Sequence, residues 1–177
     1  QTGDDAVEAA FDQVARLLRL SYPGGPEVEK MAKEGDHLSY VLPRPMTKEN
    51  HLDFSFSGLK TAVYYLVKSQ KQKNQEFIQN ICASFQNAVA ETLINKCKRA
   101  LSVHNLSRLV VGGGVAANQY LRDRLEVELK GIDLFFPKLE RCTDNGAMVA
   151  LTGFYRLKKS KSETSINIKP RWNLSEI

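Results

Sequence analysis

A chain of 177 residues, 42% hydrophobic and 25% charged, can bury one proper core and has the balance of an ordinary globular protein. Its apolar runs are too short to span a membrane, and no basic segment with an apolar core opens it as a secretion signal would. A net charge of +5 is mild for a dedicated nucleic-acid binder, and three cysteines without CxxC spacing argue against a disulfide framework and for a reduced, cytoplasmic setting. The chain opens at Gln1 rather than methionine, which leaves room for an upstream region.

In chain order, the first 21 residues read as a helix. Asp4 and Asp5 stand where a helix N-terminus favours negative charge, and Val7, Ala10, Phe11, Val14, Leu17 and Leu18 mark one apolar face. Tyr22-Pro-Gly-Gly-Pro26 ends it, and Glu27 to Lys33 restarts a short helix. Leu38 to Leu42 and His51 to Phe56 read as strands; in the second, Leu52, Phe54 and Phe56 alternate with Asp53 and Ser55. Ser57 to Lys68 is expected to be helical, with Ser57 as N-cap. Asn74 to Ser102 follows as a long helix whose row Ile81, Phe85, Val89, Leu93, Cys97, Leu101 repeats every four residues. Each step overshoots a turn, so the stripe swings by roughly 200° and needs more than one neighbour to pack on. Cys82 and Cys97 fall on its apolar side, as small hydrophobes.

From Arg108 the pattern alternates between strand (Leu109 to Val111), helix (Asn118 to Lys130), strand (Ile132 to Phe136) and helix (Asp144 to Leu157), which argues for an α/β sheet. Ser160 to Ile177 is a polar, irregular tail. The three basic clusters (Lys68, Lys71, Lys73; Lys96, Lys98, Arg99; Arg156, Lys158, Lys159, Lys161) read first as solvated faces, with a polyanionic partner as the alternative.

Two stretches carry chemistry. Leu109 to Asn118 runs a strand into Gly112-Gly113-Gly114 and then a helix, an arrangement that lets a ligand approach the backbone and meet helix N–H groups, as a nucleotide does. Cys142-Thr-Asp-Asn-Gly-Ala-Met148 puts Asp144 at a helix start behind Thr143, where it can cap or bind a metal as a hard oxygen donor. His37, His51 and His104 show no i, i+4 pairing, there is no HExxH, and this chain assembles no complete metal site.

Tyr22 to Pro26, Asp53-Phe-Ser-Phe-Ser-Gly-Leu-Lys-Thr61, Gly112 to Asn118 and Cys142 to Met148 stand in the order and spacing of one family. From about Asp4 to Trp172 the chain resembles the C-terminal half of the tRNA threonylcarbamoyladenosine transferases, once described as O-sialoglycoprotein endopeptidases. The resemblance implies an α/β ribonuclease H-like lobe of the two-lobed actin-like and sugar-kinase fold, with additional helices. Residues 1–177 would form that single C-terminal lobe: a helical segment over 1–35, an α/β core over 36–159 and a tail over 160–177.

The resemblance further implies that the parent moves a threonylcarbamoyl group from threonylcarbamoyl-adenylate to the adenosine beside a tRNA anticodon. Asp12, Gly25 and Asn118 would contact the nucleotide part, and Asp144 would ligate a divalent iron or zinc completed by histidines absent from this chain. Its partners would be tRNA, threonylcarbamoyl-adenylate, accessory tRNA-modification subunits and the missing N-terminal lobe, with no membrane. No catalytic residue is assigned; Ser57 and Lys60 are read first as holding strand and helix together, with Lys60 facing phosphate as the alternative. The family's Gly-Glu ahead of Ala-Phe-Asp-Lys is displaced here, where the run reads Glu8-Ala9-Ala10-Phe11-Asp12-Gln13. With half the cleft and one of three metal ligands, the chain alone is expected to be inactive. The alternatives are a catalytically incomplete paralogue acting as a scaffold, and a metallopeptidase.

Overall fold

The structure is a computed structural model that describes residues 2–47 and 50–157. The chain divides into two compact units, residues 1–143 and residues from 144 onward. The first unit holds α1 (Val7–Leu17), α2 (Gly24–Ala32), α3 (Ser57–Ser69), α4 (Gln75–Val103), β1 (Arg108–Val110), a 3-10 turn (Gly114–Ala117), α5 (Gln119–Glu128), β2 (Asp133–Phe135) and a second 3-10 turn (Leu139–Arg141). The second unit holds α6 (Gly146–Leu157). No helix among the described residues is long and apolar enough to cross a membrane.

The long helix α4 organises the first unit. Asn74 caps it, its side-chain oxygen accepting from Phe77 N at 2.9 Å, as a helix start of this type requires. At about 1.5 Å per residue it is roughly 43 Å long, and two core clusters divide its length. The N-terminal part, including Ile81, Phe85 and Val89, packs with Phe11 and Val14 of α1, Val28 of α2, and Leu59 and Val63 of α3. The C-terminal part, including Ala90, Ile94 and Leu101, packs with Leu121, Leu125 and Leu129 of the α5 region. The swinging apolar stripe thus meets two sets of neighbours, as its period predicts. Cys82 is fully buried, which pushes its thiol up to about 12, and burial raises Cys97 as well.

Close backbone approach sets the positions of α2. A β-carbon on Gly24 would lie 2.7 Å from Asp12 Cα and 2.8 Å from Ala15 Cβ, and one on Gly35 would lie 2.1 Å from Gln79 O. Glycine at these positions lets the start of α2 rest on α1 and the turn after α2 rest on α4. The helix begins earlier than its sequence suggests, at Gly24 rather than Glu27, because Pro23 takes the extended N-cap conformation.

β1 and β2 pair in parallel, Leu109 opposite Leu134, with α5 as the crossover, so the mixed α/β character holds with a two-stranded sheet among the described residues. Other expectations fail. Leu38 to Leu42 and His51 to Phe56 are not strands; the second region contributes one isolated bridge, Phe54 to Thr2. Their amides find side-chain partners instead of a ladder: Tyr40 N donates to Ser84 Oγ, and Phe56 N donates to Asp4 Oδ1 at 2.9 Å. Ser57 is the first residue of α3 rather than its cap, which is Phe56. Asp4 and Asp5 do not open α1 but serve α3: Ser55 Oγ also donates to Asp4, and Lys60 Nζ pairs with Asp5 at 2.5 Å. Burial opposes the Asp4 charge, yet the bonds from Ser55 and the Phe56 amide hold its carboxyl below the ordinary value. The Asp53 to Thr61 stretch therefore fastens α3 to the N-terminal segment.

In the second basic cluster Lys98 stays at the surface as expected, but Lys96 does not belong to a solvated face. Lys96 is buried and donates to His51 O at 2.6 Å, Lys98 pairs with Glu128, and Arg99 bonds Asn50. Lys68 of the first cluster lies over the Tyr64 ring, Arg156 lies in α6, and Lys158, Lys159 and Lys161 lie outside the described residues, as does the expected tail.

Candidate functional site

Two consecutive helices and a turn about 90 residues further along the chain meet at one cleft of about 250 Å³ in the first unit. α1 contributes Glu8, Phe11 and Asp12; the start of α2 contributes Pro23, Gly25, Pro26 and Glu29; the turn before α5 contributes Gly114, Val115, Ala117 and Asn118, with Thr143 at the edge. Asp12, Gly25 and Asn118, singled out from sequence, are brought together here.

Each of the three has a distinct local setting. Asp12 Oδ1 accepts from Gly24 N at 2.8 Å, which ties α1 to the first turn of α2, while Oδ2 has no partner among the described residues. Gly25 faces open space among the described residues, since a β-carbon there would meet none of them within 4 Å, so their packing does not require glycine at this position as it does at Gly24. Asn118 is spent on structure. Its Oδ1 caps α5 by accepting from Leu121 N, and its Nδ2 donates to the buried Gln86 Oε1, both at 2.8 Å.

The glycine turn departs from the expected form. Gly113 has φ +91°, a conformation that suits glycine, and the chain then enters a 3-10 turn before α5 begins at Gln119. Two amides of the α5 first turn are already taken: Glu29 Oε1 accepts from Gln119 N at 2.8 Å, and Asn118 Oδ1 accepts from Leu121 N. Those two are therefore not open N–H groups awaiting a phosphate. A carboxylate takes one amide in the first turn of each of α2 and α5.

The cleft is apolar in body and acidic in charge. Phe11, held edge-on to Phe85 with ring centroids 5.0 Å apart, lies in its wall with the two prolines, Val115 and Ala117. Among the described residues Glu8, Asp12 and Glu29 are the charged side chains of the lining, with no lysine or arginine. Apolar walls suit a flat heterocycle, and carboxylate oxygens accept from hydroxyl or amine donors. Glu8 and Glu29 were missed by sequence reasoning as lining residues. Glu29 gives no local signal, because its partner Gln119 is 90 residues away. Glu8 gave one, its departure from the family pattern.

Asp144 lies in the second unit, exposed, two residues before α6. It does not open the helix behind a Thr143 cap; Asn145 Oδ1 accepts from Met148 N at 3.0 Å and serves that end. Among the described residues no three His, Cys, Asp or Glu side chains are grouped to hold a metal. Iron or zinc needs about three or four protein ligands, so the described residues do not form a complete metal centre.

A sequence profile of the family described as TsaD, tRNA N6-adenosine threonylcarbamoyltransferase, matches residues 1–151. Proteins of that name from Herminiimonas arsenicoxydans and Chromobacterium violaceum are 48% and 45% identical to this chain across its whole length. One from Francisella philomiragia subsp. philomiragia is 47% identical over 95% of it. The chain spans about half the length of these curated relatives: 54%, 54% and 52%. On this evidence the chain belongs to the tRNA N6-adenosine threonylcarbamoyltransferase family.

Proposed function

We propose that this chain is the nucleoside-holding half of an enzyme that moves a threonylcarbamoyl group from threonylcarbamoyl-adenylate to the exocyclic amine of an adenosine in tRNA. The observation that carries the reading is the convergence of Asp12, Gly25 and Asn118 on one cleft with apolar walls and carboxylate acceptors. Asp12, pinned through one oxygen, offers the other to the ribose hydroxyls. Gly25 lets the nucleoside lie against the backbone. Asn118 acts indirectly, by fixing the turn that forms the far wall. The contribution of this half is positioning, which lowers the barrier by holding the reactants in register.

The rest of the assignment belongs to the same proposal. The chain is the ribonuclease H-like lobe of a two-lobed actin-like enzyme, working in the cytoplasm with accessory tRNA-modification subunits. Asp144 is one ligand of an iron or zinc ion whose other ligands come from the N-terminal lobe, and that ion would supply Lewis-acid polarisation when bound. By itself the chain is inactive.

The test is reconstitution. Purified chain is incubated with tRNA, threonylcarbamoyl-adenylate and divalent metal, with and without the N-terminal half of a relative. Product is expected only with both halves. Product from this chain alone overturns the half-site reading, and no product from a pair shown to associate overturns the assignment as an active enzyme.

A further inference from the structure

The cleft has one charged group with no structural task. Asp12 and Glu29 each accept from a helix amide, but Glu8 makes no hydrogen bond or ion pair among the described residues. It projects from the first turn of α1 over the glycine turn. Its Cγ would lie 3.6 Å from a β-carbon on Gly114, and its Oε1 3.7 Å from that position and 3.8 Å from the one on Gly113. Among the described residues no other atom, local backbone aside, comes within 4 Å of those two positions. Glu8 thus stands where a ligand would otherwise lie along the bare backbone.

A strand-to-helix glycine turn invites phosphate by two means, open backbone amides and the helix N-terminus behind them. Here Glu29 and Asn118 occupy two amides of the α5 first turn, Asp12 occupies the first amide of α2, and no basic side chain among the described residues lines the cleft. The Glu8 carboxylate beside Gly113 and Gly114 opposes a phosphate at that turn.

We propose that Glu8 is a specificity-determining residue that excludes phosphate from the Gly113–Gly114 turn, so that the cleft takes the nucleoside face of its ligand and directs any phosphate away from that turn. The inference rests on the nucleoside reading of the same cleft and adds the ligand's orientation. A carboxylate about 6 Å from a phosphate in water disfavours it by roughly fivefold, and more weakly as salt is raised.

Ligand-observed NMR titrations with adenosine and AMP, at low and at raised salt, test this on the wild-type chain, Glu8→Gln and Glu8→Gly. Wild type is expected to prefer adenosine. Glu8→Gln keeps the shape and removes the charge, and should shift the AMP-to-adenosine affinity ratio toward AMP by about fivefold at low salt. Glu8→Gly, which also opens the turn, should shift it at least as far. Both shifts should shrink as salt rises. Adenosine binding with the same ratio in all three proteins overturns the role of Glu8 and leaves the nucleoside cleft standing. Absence of adenosine binding in all three overturns the nucleoside reading and this inference with it.

Discussion

Replacing Asn118 with alanine should cost the first unit more stability than any contact with a ligand could explain. The side chain joins two elements through two bonds of 2.8 Å, to Leu121 N at the start of α5 and to Gln86 Oε1 inside α4. Losing the cap costs about 1 kcal/mol. The carbonyl of Gln86, a residue only 6% exposed, is stranded as well, at about 1–3 kcal/mol. The sum of about 2–4 kcal/mol lowers the melting temperature by roughly 5–15 °C in a chain of this size. Asn118→Asp separates the two bonds: the carboxylate still caps Leu121 N, and the Gln86 amide can turn to present its NH2 group, so the expected loss is under about 1 kcal/mol. Thermal and urea denaturation of the three proteins check this. An Asn118→Ala protein that melts within about 1 °C of wild type would refute the structural role, since no cap-plus-orphan cost would then exist. Adenosine binding that survives Asn118→Asp would place the residue behind the ligand rather than on it.

Gly24→Ala should destabilise by about 1–3 kcal/mol through overpacking against Asp12 and Ala15. Gly25→Ala should fold as well as wild type, or up to about 1 kcal/mol better, yet weaken adenosine binding, so paired melting curves and NMR titrations distinguish packing from ligand clearance. Lys98 and then Arg124 hold the Glu128 carboxyl below its ordinary 4.5; since the folded value is the lower one, its stabilisation is complete above about 4.5 and is lost as pH falls through the folded value. Glu128→Gln should therefore flatten the acid limb of a stability-versus-pH curve, and an unchanged limb would remove the pair from the account. Calorimetry of the chain with zinc should give no stoichiometric submicromolar binding, because about three or four protein ligands are needed for such a site; tight binding would reveal a donor set that the described side chains do not form.

The helices were legible because each leaves a local mark. Asn74 before Gln75, the four-residue apolar row of α4 and the apolar face of α1 all act within a few turns of chain. The false strand over His51 to Phe56 shows the limit of alternation. Phe54 and Phe56 do turn to the same side, their rings stacked with centroids 6.1 Å apart, but the Phe56 amide is satisfied by Asp4 and no ladder forms. Lys96 misled in the opposite direction, because a charge in a basic run looks solvated until the carbonyl that receives it, 45 residues earlier, is known. For the site, Asp12, Gly25 and Asn118 came from the family resemblance, and their meeting at one cleft is a tertiary fact. What each does locally depends on Gly24, Gln86 and Leu121, and those pairings leave no periodic trace.

The sharing of α4 between two clusters fixes a rotational phase across the unit. One residue inserted between Val89 and Ala90 would advance everything beyond it by about 100° and 1.5 Å. Ile94 and Leu101 would then turn away from Leu121 and Leu125, while Ile81 and Phe85 kept their neighbours. The bond from Gln86 to Asn118 crosses this junction, so the wall of the cleft would lose its register with Asp12 along with the core. Insertions in the loops need only bridge their ends. The length of α4 between residues 81 and 101 is therefore a dimension of the cleft itself.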